Sequence, residues 1–516
     1  MSKSNASWIK NTSIVTGASI VEYAFGLIAG ILVARSLGPS EFGLYSYTLW
    51  LVAFFSGIAL GPFTNALLKY LPEARFSKST LDEFDIAKLF WRLQSWLMLA
   101  SASLMACFAY LAPELSTTGS STSILVISIL SLFVRSRFRL IVATAQGLER
   151  FDIEAISLVL SAVVNLAVIL IVFAMKLSLI EFLYAYLLTG LVQWICASIL
   201  IKQRLPDRNS PSRGKIDYRY FRPFLVSTTI VTLISILGNR TLEFLLLKYF
   251  STTVEIGYFS VAVTFFGATV QLMTTGIGAT LTPAFARKVA QFGDAGAGAV
   301  FSDYLHLFFI FGLAAAGVGA LAIPSLVTLM YGAAYAPAET GLFIAQLLCA
   351  VFIFNLPFSS YMLSSKYAGD RVKVSVLNII VNTVLALYLI PKFGSVGAIA
   401  SFSLTFLFGA IASAAYVKHR LQFTLFQPAS IRIAFVFLMT FLACYYLRAI
   451  STSKFLILLS SLLFALSYFY FLLRSKVFKQ AEIAGFLDFF RRLAFLPPTL
   501  RDWFSRMLLS QVRYLE

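Results

Sequence analysis

The sequence predicts an all-α polytopic membrane protein of about 14 transmembrane helices, built as two six-helix lobes in a pseudo-twofold repeat plus two C-terminal helices. Three observations support this prediction: the composition, the spacing of apolar runs and the repetition of sequence landmarks. Of 516 residues, 59% are hydrophobic and 12% are charged, and the mean hydropathy is +0.84. Soluble domains carry about 25% charged residues. A chain this apolar is therefore predicted to lie in a bilayer.

The apolar runs set the number of spans. A hydrocarbon layer about 30 Å thick needs roughly 20 apolar residues per helix. The first run is too long for the apolar region of a cleavable signal peptide, so it is predicted to remain as the first span. In chain order the runs predict spans at 12–34, 43–67, 89–111, 122–146, 155–175, 180–201, 223–247, 256–281, 302–328, 339–363, 373–390, 395–417, 431–449 and 455–473.

The basic residues give the orientation. With the N-terminus in the cytoplasm, 31 of the 41 Lys and Arg residues fall in cytoplasmic segments, six in outer segments and four inside spans. This asymmetry follows the positive-inside rule and places both termini in the cytoplasm. The net charge of +18 is thereby explained by topology, and no nucleic-acid partner is predicted.

Other classes of site have little support in the sequence. The four cysteines lie in apolar runs without paired spacing, and there are only two histidines, so neither a metal site nor a cofactor is predicted. Walker loops and dinucleotide-binding fingerprints are absent from the sequence, which predicts that the chain is not an enzyme. After residue 473, two amphipathic stretches separated by Pro497 and Pro498 predict a basic interfacial tail.

Two landmarks repeat in the chain. The stretch that begins at Glu41 (EFGLYS) aligns with the stretch at Glu255 (EIGYFS) at an offset of 214 residues, and Arg150 aligns with Arg371 at an offset of 221. Because each copy would hold an even number of spans, both copies would share one orientation, as in many secondary transporters. The predicted domains are an N-terminal lobe at 1–205, a C-terminal lobe at 206–425, two further helices at 426–475 and the interfacial tail at 476–516.

Three stretches resemble a known family. They are ARSLGPSEFGLYSY (34–47), LMYGAAYAPA (329–338) and GDRVKVSVLNIIVNTVLALYLIPKFGSVGAIAS (369–401). They look like those of polysaccharide-transporter and O-antigen (Wzx-type) flippases of the multidrug/oligosaccharidyl-lipid/polysaccharide (MOP) superfamily. The resemblance implies a fourteen-helix fold that translocates a polyprenyl-diphosphate-linked oligosaccharide by alternating access.

Span 4 carries three arginines at alternate positions. Arg135 and Arg139 are four residues apart and share one helical face, whereas Arg137 lies about 200° away from them. Arginine within a span normally faces a bundle interior or an aqueous cavity. Arg135 and Arg139 are predicted to bind an anionic headgroup, with pairing or snorkelling as the alternative, and Arg137 is predicted to snorkel or to pair with another helix. The polar residues that extend the first face are Ser128, Ser131 and Gln146.

Spans 7 and 1 supply the other candidates. On span 7, Arg240, Asn239 and Glu243 are predicted substrate-binding residues, and an Arg240–Glu243 pair could equally be structural. The polar stripe assigned to that span consists of Thr228, Thr232, Ser235, Asn239 and Glu243. On span 1, Glu22 is the one deep acid of the first lobe, and it is either a proton or sodium site or a partner of the span 4 arginines.

The predicted function is therefore a flippase for an O-antigen, capsule or exopolysaccharide unit in a bacterial inner membrane. Its expected partners are the lipid-linked substrate, membrane lipids and a coupling ion (Na⁺ or H⁺). Polysaccharide polymerase and glycosyltransferases are further candidate partners. The alternative is a multidrug or small-molecule cation antiporter of the same superfamily, which would need acids in its cavity. A polytopic glycosyltransferase or polymerase is disfavoured because the outer loops are short and poor in acids.

Overall fold

The computed structural model describes residues 3–76, 83–112, 122–204, 218–238, 240–364, 368–421, 428–450, 453–475 and 477–478. These ranges form α-helices joined by short connections and contain no β-strand. A short 3-10 helix, Ala333–Tyr335, precedes the tenth α-helix. In chain order the α-helices are Lys3–Leu60 (α1), Phe63–Phe76 (α2), Glu83–Leu111 (α3), Thr122–Gly147 (α4), Phe151–Ala174 (α5), Leu179–Arg204 (α6), Tyr218–Leu237 (α7), Thr241–Phe250 (α8), Thr253–Tyr331 (α9), Ala338–Ser364 (α10), Ala368–Leu421 (α11), Pro428–Ile450 (α12) and Lys454–Arg474 (α13).

The helices confirm the predicted class of an all-α polytopic membrane protein. Within the described part of the chain, 11 helical segments are long and apolar enough to cross a membrane. Two of them, with 44 residues in α1 and 50 residues in α11, each contain two predicted spans. Helix α4 adds a further 26-residue helix whose three arginines keep it out of that set. The helices therefore supply the fourteen predicted crossings.

Glycines mark the reversals inside the two longest apolar segments. Gly38 lies within α1 with φ 70° and ψ 175°, and Gly394 lies within α11 with φ 53° and ψ −128°. Only glycine adopts such backbone angles without a steric penalty. Each glycine falls between two spans that the apolar runs had separated, so α1 holds span 1 and most of span 2, and α11 holds spans 11 and 12.

The prediction of one continuous span 7 at 223–247 is wrong. Helix α7 ends at Leu237, and Arg240 adopts a left-handed conformation (φ 62°) before α8 begins at Thr241. Thr241 Oγ1 donates a hydrogen bond to the Ile236 carbonyl (2.6 Å), which caps the end of α7. The predicted stripe is thereby divided, because Thr228, Thr232 and Ser235 belong to α7 whereas Glu243 belongs to α8.

Span 2 also contains a break. Helix α1 ends at Leu60, Gly61 has φ 47°, and α2 begins at Phe63. The Gly61–Pro62 pair accounts for this break, because glycine allows positive φ and proline lacks a backbone donor.

The two copies of the repeated motif contact each other reciprocally. A Cβ on Gly43 would lie 1.8 Å from the carbonyl oxygen of Thr253, and a Cβ on Gly257 would lie 2.2 Å from that of Pro39. Thr253 follows Pro39 by the same 214 residues that separate the two glycines. The Ser40 and Thr253 hydroxyls are 2.9 Å apart at the same place. A two-fold relation between the copies produces such a pair of equivalent contacts.

The other two stretches of the resemblance meet this joint. The buried Tyr335 donates a hydrogen bond to the Ala34 carbonyl (3.0 Å), and burial raises the pKa of its phenol, so that it remains a neutral donor. The Glu255 carboxylate accepts a hydrogen bond from the Ser395 amide (2.7 Å), next to the reversal at Gly394. Residues of all three stretches that carry the resemblance thus meet at one packing joint.

Two compact units divide the chain. One comprises Met1–Val261, Met330–Ala338 and Ser375–Phe402, and the other Ala262–Leu329, Glu339–Val374 and Ser403–Glu516. In the first, the Tyr70 and Phe221 rings meet edge-on at 4.7 Å. In the second, α12 and α13 pack on α9 through rings such as Phe464, which would touch a Cβ on Gly317 at 2.3 Å. The domain boundaries at 205, 425 and 475 stay predictions, and the predicted interfacial tail lies almost wholly outside the described residues.

Candidate substrate-binding site

Helix α4 directs its arginines to different neighbours. Arg137 Nη2 donates a hydrogen bond to Ser95 Oγ (2.6 Å), and Nη1 contacts the Trp91 carbonyl (3.5 Å). Both partners lie on α3, so the prediction that Arg137 pairs with another helix is confirmed. Arg135 contacts α6 instead, through the Tyr186 carbonyl. The separation of the arginines that the helical period predicts is therefore present in the fold.

Arg135 is held in place by Tyr186. Its Nη2 lies 3.2 Å from the Tyr186 carbonyl oxygen, and its guanidinium carbon lies 3.6 Å from the centre of the Tyr186 ring. A guanidinium stacked on an aromatic face is attracted by the ring quadrupole, and this attraction offsets part of the free energy that the charge loses on leaving water. The buried Nε of Arg135 has no partner among the described residues. Arg135 is thus oriented by α6.

Arg139 is more accessible than Arg135. Its side chain is exposed and forms no hydrogen bond or ion pair with the part of the chain that the structure describes. The half-buried Glu22 of α1 interacts electrostatically with Arg139 and, less strongly, with Arg135, and it is repelled by Glu154 of α5. Glu154 also accepts a hydrogen bond from Gln146 Nε2 (2.7 Å) on the polar face of α4. Glu22 therefore lies close to the two arginines with which the sequence suggested a pair.

Helix α1 presents an open face beside these charges. A Cβ placed on Gly17, Gly26 or Gly30 would meet no atom within 4 Å, and Tyr23 is 54% exposed. Tyr23 also interacts electrostatically with Arg240. Because Glu22 and Tyr23 are adjacent in the sequence, one turn of α1 lies near both the α4 arginines and Arg240.

The span 7 charges form a buried group at the start of α8. Glu243 is fully buried, and its Oε1 accepts a hydrogen bond from Asn382 Nδ2 of α11 (2.9 Å). Arg240 interacts electrostatically with Glu243, and its guanidinium carbon lies 5.1 Å from the centre of the Phe402 ring. Neither Arg240 Nε nor Glu243 Oε2 has a partner in the described ranges. Asn239 lies outside the described residues.

The sequence did not indicate every member of this site. Tyr186 is one aromatic residue among many in span 6, and no periodic signal marks it as the partner of Arg135. Asn382 is a polar residue of α11, and its hydrogen bond to Glu243 joins that helix to α8. Among the described residues no three His, Cys, Asp or Glu side chains are grouped so as to hold a metal ion.

The site thus combines three guanidinium groups (Arg135, Arg139 and Arg240) with three carboxylates (Glu22, Glu154 and Glu243) beside a helix that has an open face. Guanidinium groups match the geometry of phosphate and carboxylate groups. The class that the fold defines is a multi-pass helical membrane protein.

Comparison with known proteins establishes the family. A model described as "Polysaccharide biosynthesis protein" matches residues 8–289. The match covers more than half of the chain, so the chain belongs to this family, and the resemblance found in the sequence is confirmed. Among the curated proteins no sequence matches.

Solved structures share the fold. One titled "Lipid II flippase MurJ, inward closed conformation" is similar at a TM-score of 0.70 with 14% identity, over 89% of this chain and 97% of that one. An inward-facing multidrug resistance MATE family transporter of the MOP superfamily has a TM-score of 0.61 with 14% identity, over 80% and 98% of the two chains. A MATE transporter from Vibrio cholerae has a TM-score of 0.55 with 12% identity, over 81% and 97%. At these identities the likeness concerns the fold alone.

Proposed function

We propose that this protein is a flippase that moves a polyprenyl-diphosphate-linked oligosaccharide across the cytoplasmic membrane by alternating access. The oligosaccharide would be a repeat unit of O-antigen, capsule or exopolysaccharide. The family, described by its role in polysaccharide biosynthesis, supports this substrate class. The flippase and transporter fold supports translocation rather than catalysis.

The observation that carries the proposal is the exposed Arg139, one helical turn from Arg135, beside the open face of α1. A diphosphate needs several N–H donors held in a fixed geometry. Arg135, oriented by Tyr186, and Arg139, with its exposed guanidinium, would supply them. Arg240 would add a third positive charge near Tyr23.

A small-molecule cation antiporter remains the second candidate, because MATE transporters share the fold. Such a protein would require acids that face the cavity. Glu22 and Glu154 are partly accessible, two arginines act on Glu22, and Glu154 is bound by Gln146. Glu243 is fully buried. The exposed guanidinium of Arg139 favours the anionic substrate.

The remaining assignments belong to the same proposal. The chain would act in a bacterial inner membrane with both termini in the cytoplasm, as the distribution of basic residues indicates. Glu22 would either couple transport to H⁺ or Na⁺ or balance the charge of the arginines between substrates. Polysaccharide polymerase and glycosyltransferases would be its functional neighbours.

The test measures headgroup translocation in proteoliposomes that contain a fluorescent polyprenyl-diphosphate sugar. Arg139→Gln removes a charge-assisted contact with the headgroup, which contributes about 1.5–3 kcal/mol, so we expect translocation to fall at least about tenfold. Arg135→Lys keeps the charge but loses the bidentate N–H donors and the ring stacking of the guanidinium. Its translocation rate should lie between that of Arg139→Gln and that of the unmodified protein.

The matched control is Lys176→Gln, which removes an exposed positive charge at the turn between α5 and α6. It should transport normally. Translocation at the parental rate by an Arg135→Gln/Arg139→Gln double variant would remove the assigned role of the arginines. A cationic dye that is exported against a proton gradient, with no movement of the lipid, would favour the antiporter.

A further inference from the structure

A second cationic site lies on the opposite side of α4 from Arg135 and Arg139. A cavity of about 590 Å³ opens there between α3, α4 and α6, a size within the range of ligand pockets. Three basic residues line it: Arg92 of α3, Arg137 of α4 and Lys202 of α6. The described residues provide no ion-pair partner for any of the three.

Arg137 is anchored at this cavity without being saturated. Ser95 and the Trp91 carbonyl fix its guanidinium through the two contacts described above. A guanidinium carries five N–H donors, so these contacts leave donors available. A half-buried arginine without a counter-ion is costly in a membrane unless an anion or water compensates its charge. The cavity thus presents a positioned guanidinium that lacks an anionic partner in the described ranges.

The lining residues lie at one end of their helices. Arg92 is nine residues from the start of α3, and Lys202 is two residues from the end of α6. Arg137 lies ten residues, roughly 15 Å, before the end of α4. In the predicted orientation this end faces the cytoplasm. Arg92 and Lys202 would therefore lie near the level of the lipid headgroups, with Arg137 deeper.

The rest of the cavity suits a lipid. Trp91 and Trp194 line it, and tryptophan is enriched where a membrane meets water. Ile195 and Ile199 also line it, and both are 51% exposed on the outer face of α6. An acyl chain could lie along these isoleucines while a phosphate contacts the cations above them. Basic pockets between transmembrane helices on the cytoplasmic side are typical binding sites for anionic lipid headgroups.

From this arrangement we infer that the α3/α4/α6 cavity binds the phosphate headgroup of an anionic membrane phospholipid in the cytoplasmic leaflet. The bound lipid supplies the counter-charge of Arg137 and lies on the side of α4 that faces away from the candidate substrate site. This inference does not depend on the proposed flippase activity, because lipid retention is measured without transport.

The experiment titrates the purified full chain in a neutral detergent with phosphatidylglycerol and, separately, with phosphatidylcholine, and counts bound lipids by native mass spectrometry. We expect phosphatidylglycerol to bind and phosphatidylcholine to bind more weakly. Arg92→Gln and Lys202→Gln should each weaken phosphatidylglycerol binding about fivefold. Arg137→Gln should weaken it about tenfold or more. Lys176 lies in the turn before α6, at the end of that helix opposite to Lys202. Lys176→Gln should therefore bind phosphatidylglycerol as the unmodified protein does.

Arg92 and Lys202 are exposed, so their double substitution tests the site without disturbing the core. Arg137→Lys, which keeps the charge near Ser95, should recover part of the affinity lost in Arg137→Gln. Equal binding of both lipids, or unchanged phosphatidylglycerol binding in the double variant, would overturn the inference. Displacement of phosphatidylglycerol from this cavity by a polyprenyl-diphosphate sugar at equimolar amounts would identify the transport substrate as the occupant and would overturn it as well.

Discussion

The reciprocal glycine contact offers the sharpest test of the fold. Gly43→Ala adds one methyl group at a point where the backbones of α1 and α9 touch. That methyl carbon would lie 1.8 Å from the Thr253 carbonyl oxygen and 2.9 Å from the Gly257 amide nitrogen. Because both obstacles are backbone atoms, no change of rotamer can relieve the overlap. The two segments must move apart.

The magnitude follows from the overlap. Ordinary van der Waals contact begins near 3.4 Å, so the segments must separate by roughly 1.5 Å. Overpacking of this kind costs about 1–3 kcal/mol. A cost of about 2 kcal/mol corresponds to a roughly 30-fold change in the equilibrium between the touching and the separated arrangement. Gly257→Ala should have a similar effect, since its Cβ would lie 2.2 Å from the Pro39 carbonyl oxygen.

Two measurements report this change. Thermal unfolding in detergent gives the loss of stability, and disulfide formation in a Ser40→Cys/Thr253→Cys pair reports the contact itself, since the native hydroxyls are 2.9 Å apart. We expect Gly43→Ala to lower the melting temperature and to slow the formation of the disulfide. Loss of the crosslink with little loss of stability would indicate a contact that belongs to one state of a conformational cycle.

The control is Gly26→Ala, in the same helix. A Cβ there meets nothing within 4 Å, and replacing a helical glycine with alanine stabilises a helix by about 0.5–1 kcal/mol. Its melting temperature should be equal or higher, and its crosslinking unchanged. If Gly43→Ala unfolds and crosslinks as Gly26→Ala does, the close approach of the two segments is refuted.

Three further substitutions test single contacts by the melting temperature in detergent. Asn382→Ala leaves the buried Glu243 carboxylate without the hydrogen bond from Asn382 and should lower the free energy of unfolding by about 1–3 kcal/mol. An unchanged melting temperature would show that water or another donor replaces the amide. Tyr186→Leu removes the ring that stacks on Arg135 and should lower the free energy of unfolding by about 0.5–2 kcal/mol. Tyr186→Phe keeps the ring and should be nearly neutral. Equal losses of stability in the two variants would argue against the stacking. Gly394→Ala forces an L-residue to φ 53° and should cost about 1–2 kcal/mol; a neutral result would mean that the reversal in α11 relaxes.

The membrane crossings could be predicted because their signal is local. The length of an apolar run is set by the thickness of the hydrocarbon layer, and this rule located both the fourteen crossings and the reversals at Gly38 and Gly394. The same rule failed after Leu237, where α7 ends inside an apolar run. Hydropathy does not register a change of backbone conformation, and Arg240 adopts positive φ without any marker in the sequence.

The candidate site was likewise predicted only in part from the sequence. The helical period alone separated Arg137 from Arg135 and Arg139, because each residue advances about 100° around a helix. Only the tertiary structure decided that Tyr186 holds Arg135, that Asn382 reaches Glu243, and that Arg139 stays exposed. These partners are 51 and 139 residues apart along the chain, and no periodicity connects residues at such distances.

The sequence by itself therefore determined that the chain is a helical membrane protein, how many times it crosses and that Arg137 lies on a different face of span 4 from Arg135 and Arg139. These properties follow from the bilayer and from the geometry of a single helix. The tertiary structure decided which charges meet partners, where two repeated glycines bring two backbones into contact, and where three helices leave a cationic cavity. These properties depend on packing between distant segments, which is fixed only when the helices are assembled.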